Sequence, residues 1–158
     1  MNRRNFLTSL SSVVKPKKEV ELIVRPPYNN NKSLFEKCKE CENTPCVAIC
    51  DEKIIKITDD KTPIIDFSNS GCTYCDECLE VCPHEVLTDP TQKIDVIVEI
   101  DISKCVSWHE VMCFSCKDPC LDNAIDFLAL FRPSINEKCT NCGFCISVCP
   151  SNAIILKK

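Results

Sequence analysis

The chain has 158 residues, of which 16 are Cys and two are Gly, and its formal net charge is -4. That length allows one domain or two small ones, and seven Phe, two Tyr and one Trp leave little for a large single core. Two Gly exclude Gly-rich phosphate cradles, the acidic balance argues against nucleic acid as a partner, and no run approaches the roughly 18 apolar residues that span a bilayer.

The first 18 residues carry Arg3, Arg4, Lys15, Lys17 and Lys18 with no acid, a block of +5 that leaves -9 on residues 19–158. Arg3-Arg4-Asn5-Phe6-Leu7 is close to the core of a twin-arginine export signal. Such a signal also needs an apolar stretch of about 7–15 residues and a small-residue cleavage site. Here Phe6 to Val14 is broken by Thr8, Ser9, Ser11 and Ser12 and stopped by Lys15-Pro16-Lys17-Lys18. The expectation is an uncleaved arm on a cytoplasmic protein. Next, Arg25-Pro26-Pro27-Tyr28-Asn29-Asn30-Asn31 reads as extended linker, because Pro blocks helix and Asn favours turns.

From Cys38 onward the Cys fall into four quartets. They are Cys38, Cys41, Cys46, Cys50; then Cys72, Cys75, Cys78, Cys82; then Cys105, Cys113, Cys116, Cys120; and finally Cys139, Cys142, Cys145, Cys149. Each ends in C-x3-C, and an apolar pair follows at the fourth and fifth residues beyond: Ile54-Ile55, Val86-Leu87, Ala124-Ile125 and Ala153-Ile154. Apolar segments precede the last three quartets, at Ile64-Ile65-Asp66-Phe67, Ile100-Asp101-Ile102 and Ile135-Asn136. The alternation of Ile94, Val96, Val98, Ile100 and Ile102 predicts a half-buried strand. Such a repeat decides the architecture. Each unit is expected as a strand, a Cys-bearing loop entering a short helix, and another apolar segment. The fold class is therefore α+β, in tandem bacterial-ferredoxin-like two-cluster modules stabilised by their clusters. The expected division is a basic arm and linker over 1–30, a first module over 31–89 and a second over 90–158.

The second and fourth quartets, C-x2-C-x2-C-x3-C-P, have the spacing of bacterial ferredoxins that hold [4Fe–4S] clusters. Three closely spaced thiolates on a tight loop wrap three iron corners of a cubane, and the fourth Cys reaches a second cluster. A disulfide framework needs an oxidising compartment and would not favour regular triplets. Zinc expects two separated C-x2-C pairs per site. In the first quartet Glu42-Asn43-Thr44-Pro45 lengthens the middle spacing; in the third, seven residues separate Cys105 from Cys113. All sixteen Cys are taken as ligands, for four [4Fe–4S] clusters, or three if one irregular quartet holds none. Sequential pairing joins Cys38, Cys41, Cys46 with Cys82; Cys72, Cys75, Cys78 with Cys50; Cys105, Cys113, Cys116 with Cys149; and Cys139, Cys142, Cys145 with Cys120. Nested pairing of first with fourth and second with third also fits the spacings.

Three groups of residues are more specific than the quartets alone. They are the Arg3-Arg4 arm, Arg25-Pro26-Pro27-Tyr28, and above all Cys105-x7-Cys113-Phe114-Ser115-Cys116-Lys117-Asp118-Pro119-Cys120 with Ala124-Ile125 and Phe131-Arg132-Pro133. On these residues, over 2–156, the chain resembles the NapF-type ferredoxin-like accessory proteins of the periplasmic nitrate reductase system. The longer first quartet departs from that pattern. The resemblance implies a cytoplasmic protein that binds the precursor of the nitrate reductase catalytic subunit and assists its maturation, by iron–sulfur or redox chemistry, before export. The alternative is a polyferredoxin carrying electrons between a quinol-oxidising complex and a terminal reductase, with other electron-transfer proteins as partners.

The remaining candidates read more plainly. His84 is expected to be solvated, and Trp108 and His109 to pack over a cluster and exclude water, with partner docking as their alternative role. Asp76, Glu77 and Glu80 make a solvated acidic face. No Ser–His–Asp, Cys–His or paired-carboxylate arrangement stands out, so no substrate-turnover site is expected.

Overall fold

The computed structural model describes residues 22–158; the basic arm over 1–18 lies outside the described residues. The elements are short, as a sequence with so few apolar side chains requires. Helices α1 (Pro45–Ile49), α2 (Glu77–Glu80) and α3 (Phe144–Ser147) alternate with strands β1 (Ile55–Ile57), β2 (Pro63–Ile65), β3 (Ile97–Ile100), β4 (Ile125–Leu128), β5 (Phe131–Ile135) and β6 (Ile154–Lys157). Two 3-10 segments, Lys32–Glu40 and Val106–His109, carry or follow the first Cys of the irregular quartets. The strands form three antiparallel ribbons: β1 with β2, β4 with β5, and β3 with β6. Their registers place Ile55 opposite Ile65, Ile125 opposite Ile135, and Ile100 opposite Ile154.

All eight residues of the four apolar pairs that follow the quartets are buried. Six of them divide between two cores. Ile54, Ile55, Val86 and Leu87 join Phe35, Ile65 and Phe67 in the first, while Ile125 and Ile154 join Val98 and Cys145 in the second. Burial of one such side chain stabilises by about 1.5–3 kcal/mol, so two small cores leave the fold dependent on other ties. Val86-Leu87 is buried without entering a strand.

Two expectations are corrected. The alternating stretch from Ile94 to Ile102 is a strand only over Ile97–Ile100. Ile94 and Val96 face the first core and Val98 the second. Past Ile100 the Asp101 carboxylate accepts from the Ser103 backbone N–H (3.0 Å) and hydroxyl (2.6 Å), turning the backbone and leaving Ile102 exposed. Arg25 to Tyr28, expected as part of an extended linker, is extended but built into the first core. Pro26, Pro27 and Tyr28 are fully buried. Arg25 lies over the Phe35 ring at 5.2 Å and donates to Thr62 Oγ1 (2.7 Å) and the Pro63 carbonyl (2.8 Å). The Tyr28 N–H donates to Gln92 O, and its carbonyl accepts from Thr88 and Asp89. Pro removes a donor, so two Pro let this strand-like segment lie buried with few backbone groups to satisfy. Among the described residues no helix is long and apolar enough to cross a membrane.

Candidate iron–sulfur site

In three quartets the backbone reverses just before a short helix that carries the third Cys. The residue at each reversal is left-handed: Thr44 (φ 39), Asp76 (φ 66) and Gly143 (φ 85). Cys46, Cys78 and Cys145 then open helical turns directed at the loop behind them. The third quartet differs from the expected loop-and-helix unit. Asp118 precedes Pro119, which disfavours a helical conformation, and Ser115 to Pro119, between Cys113 and Cys120, is made of turns.

The fold brings the thiols together across quartets. One cavity is lined by Cys38, Cys41, Cys46 and Cys82, another by Cys50, Cys72, Cys75 and Cys78, and a third by Cys120, Cys139, Cys142 and Cys145. The second of these measures about 140 Å³; the first and third are tighter, about 30 and 10 Å³. Burial pushes the Cys116 thiol up to about 11, with Cys105, Cys113 and Cys149 adding to the rise. Cys116 and Cys149 also pack on the second core, and with Cys105 and Cys113 they make up the remaining four thiols. The sets are those of sequential pairing.

Burial dominates the thiol chemistry. It pushes Cys38, Cys46 and Cys72 up to about 11, and Cys78 and Cys145 to about 12. Neighbouring thiols reinforce this, notably Cys82 at Cys38 and Cys142 at Cys145. Cys149 goes the other way: burial opposes it, but backbone N–H groups of Ala153, Ser151 and Ile154 hold it below the ordinary thiol value. The Ala153 N–H stands 3.3 Å from Cys149 Sγ, and Val86 to Cys82 and Ala124 to Cys120 repeat that bond at 3.3 Å. This explains the spacing of the apolar pairs. The first member of each of these three buries its side chain and aims its N–H at the last sulfur of its quartet.

The donor set fits an iron–sulfur group. Soft thiolates select such clusters, and each group offers four of them. Ser107, two residues after Cys105, adds an independent sign, because its buried hydroxyl has no partner among the described residues. Buried polar groups are normally hydrogen-bonded, and a cluster sulfur is a fitting acceptor.

His84 lines the cavity of the first group beside Pro83 and is half-buried. Trp108 seats on β5, with Nε1 donating to the Pro133 carbonyl at 3.1 Å and Arg132 6.0 Å from its ring. His109 is exposed, with Nε2 3.1 Å from the Ser103 carbonyl. Glu80 is exposed, whereas Asp76 and Glu77 are half-buried beside the second group. Spacing pointed to neither Tyr74 nor Ser107, whereas Pro26-Pro27 before Tyr28 and the apolar run ending at Phe67 were signals of fixed segments.

Two family models match the sequence: a 4Fe-4S dicluster domain over residues 37–86, which encloses the first two quartets, and a 4Fe-4S binding domain over 134–155, which encloses the fourth. Fold and site thus define a ferredoxin-type iron–sulfur protein. The "Ferredoxin-type protein NapF" of Escherichia coli K12 is 29% identical over 138 residues, 83% of this chain and 82% of that protein. Its namesake in Haemophilus influenzae is 32% identical over 165 residues, 98% of this chain and 92% of that protein. A polysulfide reductase subunit of Wolinella succinogenes is 34% identical over 59 residues, 37% of this chain and 30% of its own length. The protein belongs to the NapF family of ferredoxin-type proteins.

Proposed function

We propose that the protein holds four [4Fe–4S] clusters, binds the cytoplasmic precursor of the periplasmic nitrate reductase catalytic subunit, and assists its maturation by delivering clusters or electrons before export. The observation that carries this reading is the gathering of all sixteen Cys into four groups of four, on a chain that spans almost the whole of a NapF relative. In this reading the ligand sets are Cys38, Cys41, Cys46, Cys82; Cys50, Cys72, Cys75, Cys78; Cys105, Cys113, Cys116, Cys149; and Cys120, Cys139, Cys142, Cys145. When bound, such clusters supply one-electron redox chemistry at potentials set by hydrogen bonding and exposure. The protein's own residues desolvate the thiols, aim N–H groups at Cys82, Cys120 and Cys149, and present an acidic surface.

The likeness to a polysulfide reductase subunit favours a second reading, a carrier between a quinol-oxidising complex and a terminal reductase. Capture of the tagged full-length protein from cytoplasm, probed for the nitrate reductase precursor, separates the two. Recovery of the precursor supports maturation. No precursor, with rapid reduction by a quinol-oxidising complex, replaces it with the carrier. A reporter fused after Lys18 is expected to stay in the cytoplasm, and a shortened periplasmic product would overturn the location.

A further inference from the structure

The two glycines of the sequence, Gly71 and Gly143, both lie where the two cores meet. Gly143 has φ +85, a left-handed conformation that side chains rarely adopt, whereas no such backbone demand falls on Gly71. What both positions exclude is a Cβ. At Gly71 it would stand 2.5 Å from the Phe144 nitrogen and 2.7 Å from the Cys142 carbonyl oxygen, and at Gly143 it would enter the Phe67 ring. The contacts are reciprocal: Gly71, beside the second quartet, receives Phe144 of the fourth, and Gly143, within the fourth, receives Phe67 of the first core. Along this seam the Cys72 N–H donates to the Cys142 carbonyl at 2.6 Å, the Tyr74 hydroxyl donates to the Thr140 carbonyl at 2.5 Å, and Asn141 Nδ2 donates to the Ile94 carbonyl at 3.3 Å.

We propose that this seam orders the four cluster sites in space as first, second, fourth, third, and that Gly71 and Gly143 are its positioning residues. Sites are numbered here by the quartet that supplies their first three Cys, and the inference rests on the four-cluster reading above. Within the first core α1, carrying Cys46, packs on α2, carrying Cys78, and in the second Cys116 packs against the core that contains Cys145; between them, the Cys72 N–H meets the Cys142 carbonyl. The two irregular quartets therefore stand at the ends and the two regular ones inside. Were clusters bound there, a single electron crossing the seam would oxidise the site on one side by one unit and reduce the other, with no proton or atom transferred. A side chain at either glycine would part the two loops that carry the inner sites.

The test uses the anaerobically loaded full-length protein, fully reduced with excess dithionite, with magnetic coupling between sites read by electron paramagnetic resonance. Cys75→Ala and Cys142→Ala each remove an inner site; Cys41→Ala and Cys113→Ala each remove an outer one, and iron analysis verifies the loss. Loss of an inner site should strand one outer site as an isolated, uncoupled signal, whereas loss of an outer site should leave three coupled sites and no isolated signal. The reverse pattern overturns the order. Gly71→Ala and Gly143→Ala should keep their iron but lose coupling across the seam while each pair stays coupled, and Tyr74→Phe, a milder change, should weaken it. Full iron with unchanged coupling in all three overturns the positioning role. An unaltered protein with about half the expected iron would remove the four-cluster reading itself, a result distinct from a wrong order at full iron.

Discussion

The rings of Tyr28 and Tyr74 meet edge to face, with centroids 6.5 Å apart and planes at 76°. Tyr28 hydroxyl oxygen accepts the Asp76 N–H at 3.2 Å, and Tyr74 hydroxyl oxygen accepts the Ile94 N–H at 3.4 Å while donating to the Thr140 carbonyl. The two rings thus clamp the loop bearing Cys72, Cys75 and Cys78 between the buried Pro26–Tyr28 segment and the fourth quartet. Burial, with Asp76 next, holds the Tyr28 phenol well above its usual range, so it acts as a neutral strut.

Truncating that strut should be costly. Tyr28→Ala is expected to destabilise the loaded protein by about 3–5 kcal/mol, as for other buried aromatics, whereas Tyr28→Phe, which loses one hydrogen bond, should cost about 1 kcal/mol. Anaerobic guanidinium unfolding of the loaded variants measures both. Equal, negligible effects would return Arg25–Tyr28 to the role of a loose linker.

Anaerobically purified protein should carry about sixteen iron and sixteen acid-labile sulfide per chain, the content of four cubanes. About half that would discard the irregular quartets, and substantial zinc with little sulfide would discard the iron–sulfur reading. Removing the clusters with a chelator under acid should unfold the cores, since metal binding is folding free energy in small domains; far-ultraviolet circular dichroism follows the loss.

Binding to the precursor should weaken steeply with salt. A [4Fe–4S] core at 2+ with four thiolates carries about -2, so four add about -8 to a body already at -9 without its arm. Such a surface steers onto a basic patch, with an on-rate that falls as salt rises. The full-length protein and a 19–158 truncation should both show this, and the arm should add a second, weaker contact. Salt-insensitive binding of both would remove the electrostatic argument.

Ser107→Ala should lower the midpoint potential of one cluster and leave the others in place. A hydroxyl donating to a cluster sulfur stabilises the more negative, reduced form, and hydrogen bonds to sulfur are among the determinants of potential. A redox titration followed by electron paramagnetic resonance reads the shift. Four unmoved midpoints would mean that the buried hydroxyl serves no cluster.

Much of the site was legible before any fold was known. The quartets, the burial of Ile54-Ile55, Val86-Leu87, Ala124-Ile125 and Ala153-Ile154, and the strands beside most of them follow from local spacing, because a few residues of tight loop hold three thiols near one another whatever surrounds them. The strand from Ile94 to Ile102 was legible only in part: alternation marks which side chains bury, but a strand lasts only as long as its partner, and β6 offers Ile154–Lys157 alone.

The choice between sequential and nested pairing lay beyond the sequence, since both satisfy the same spacings. In the fold the ribbons and cores carry Cys82 to the cavity of Cys38, and Cys149 to the same core as Cys116, and it is this placement that favours the sequential reading. The burial of Arg25–Tyr28 and the reciprocal fit of Gly71 with Phe144 and Gly143 with Phe67 are of the same kind. A residue's spacing records what its neighbours along the backbone require, but the absence of a Cβ records what a distant segment requires, and that becomes visible only when the segment is in place.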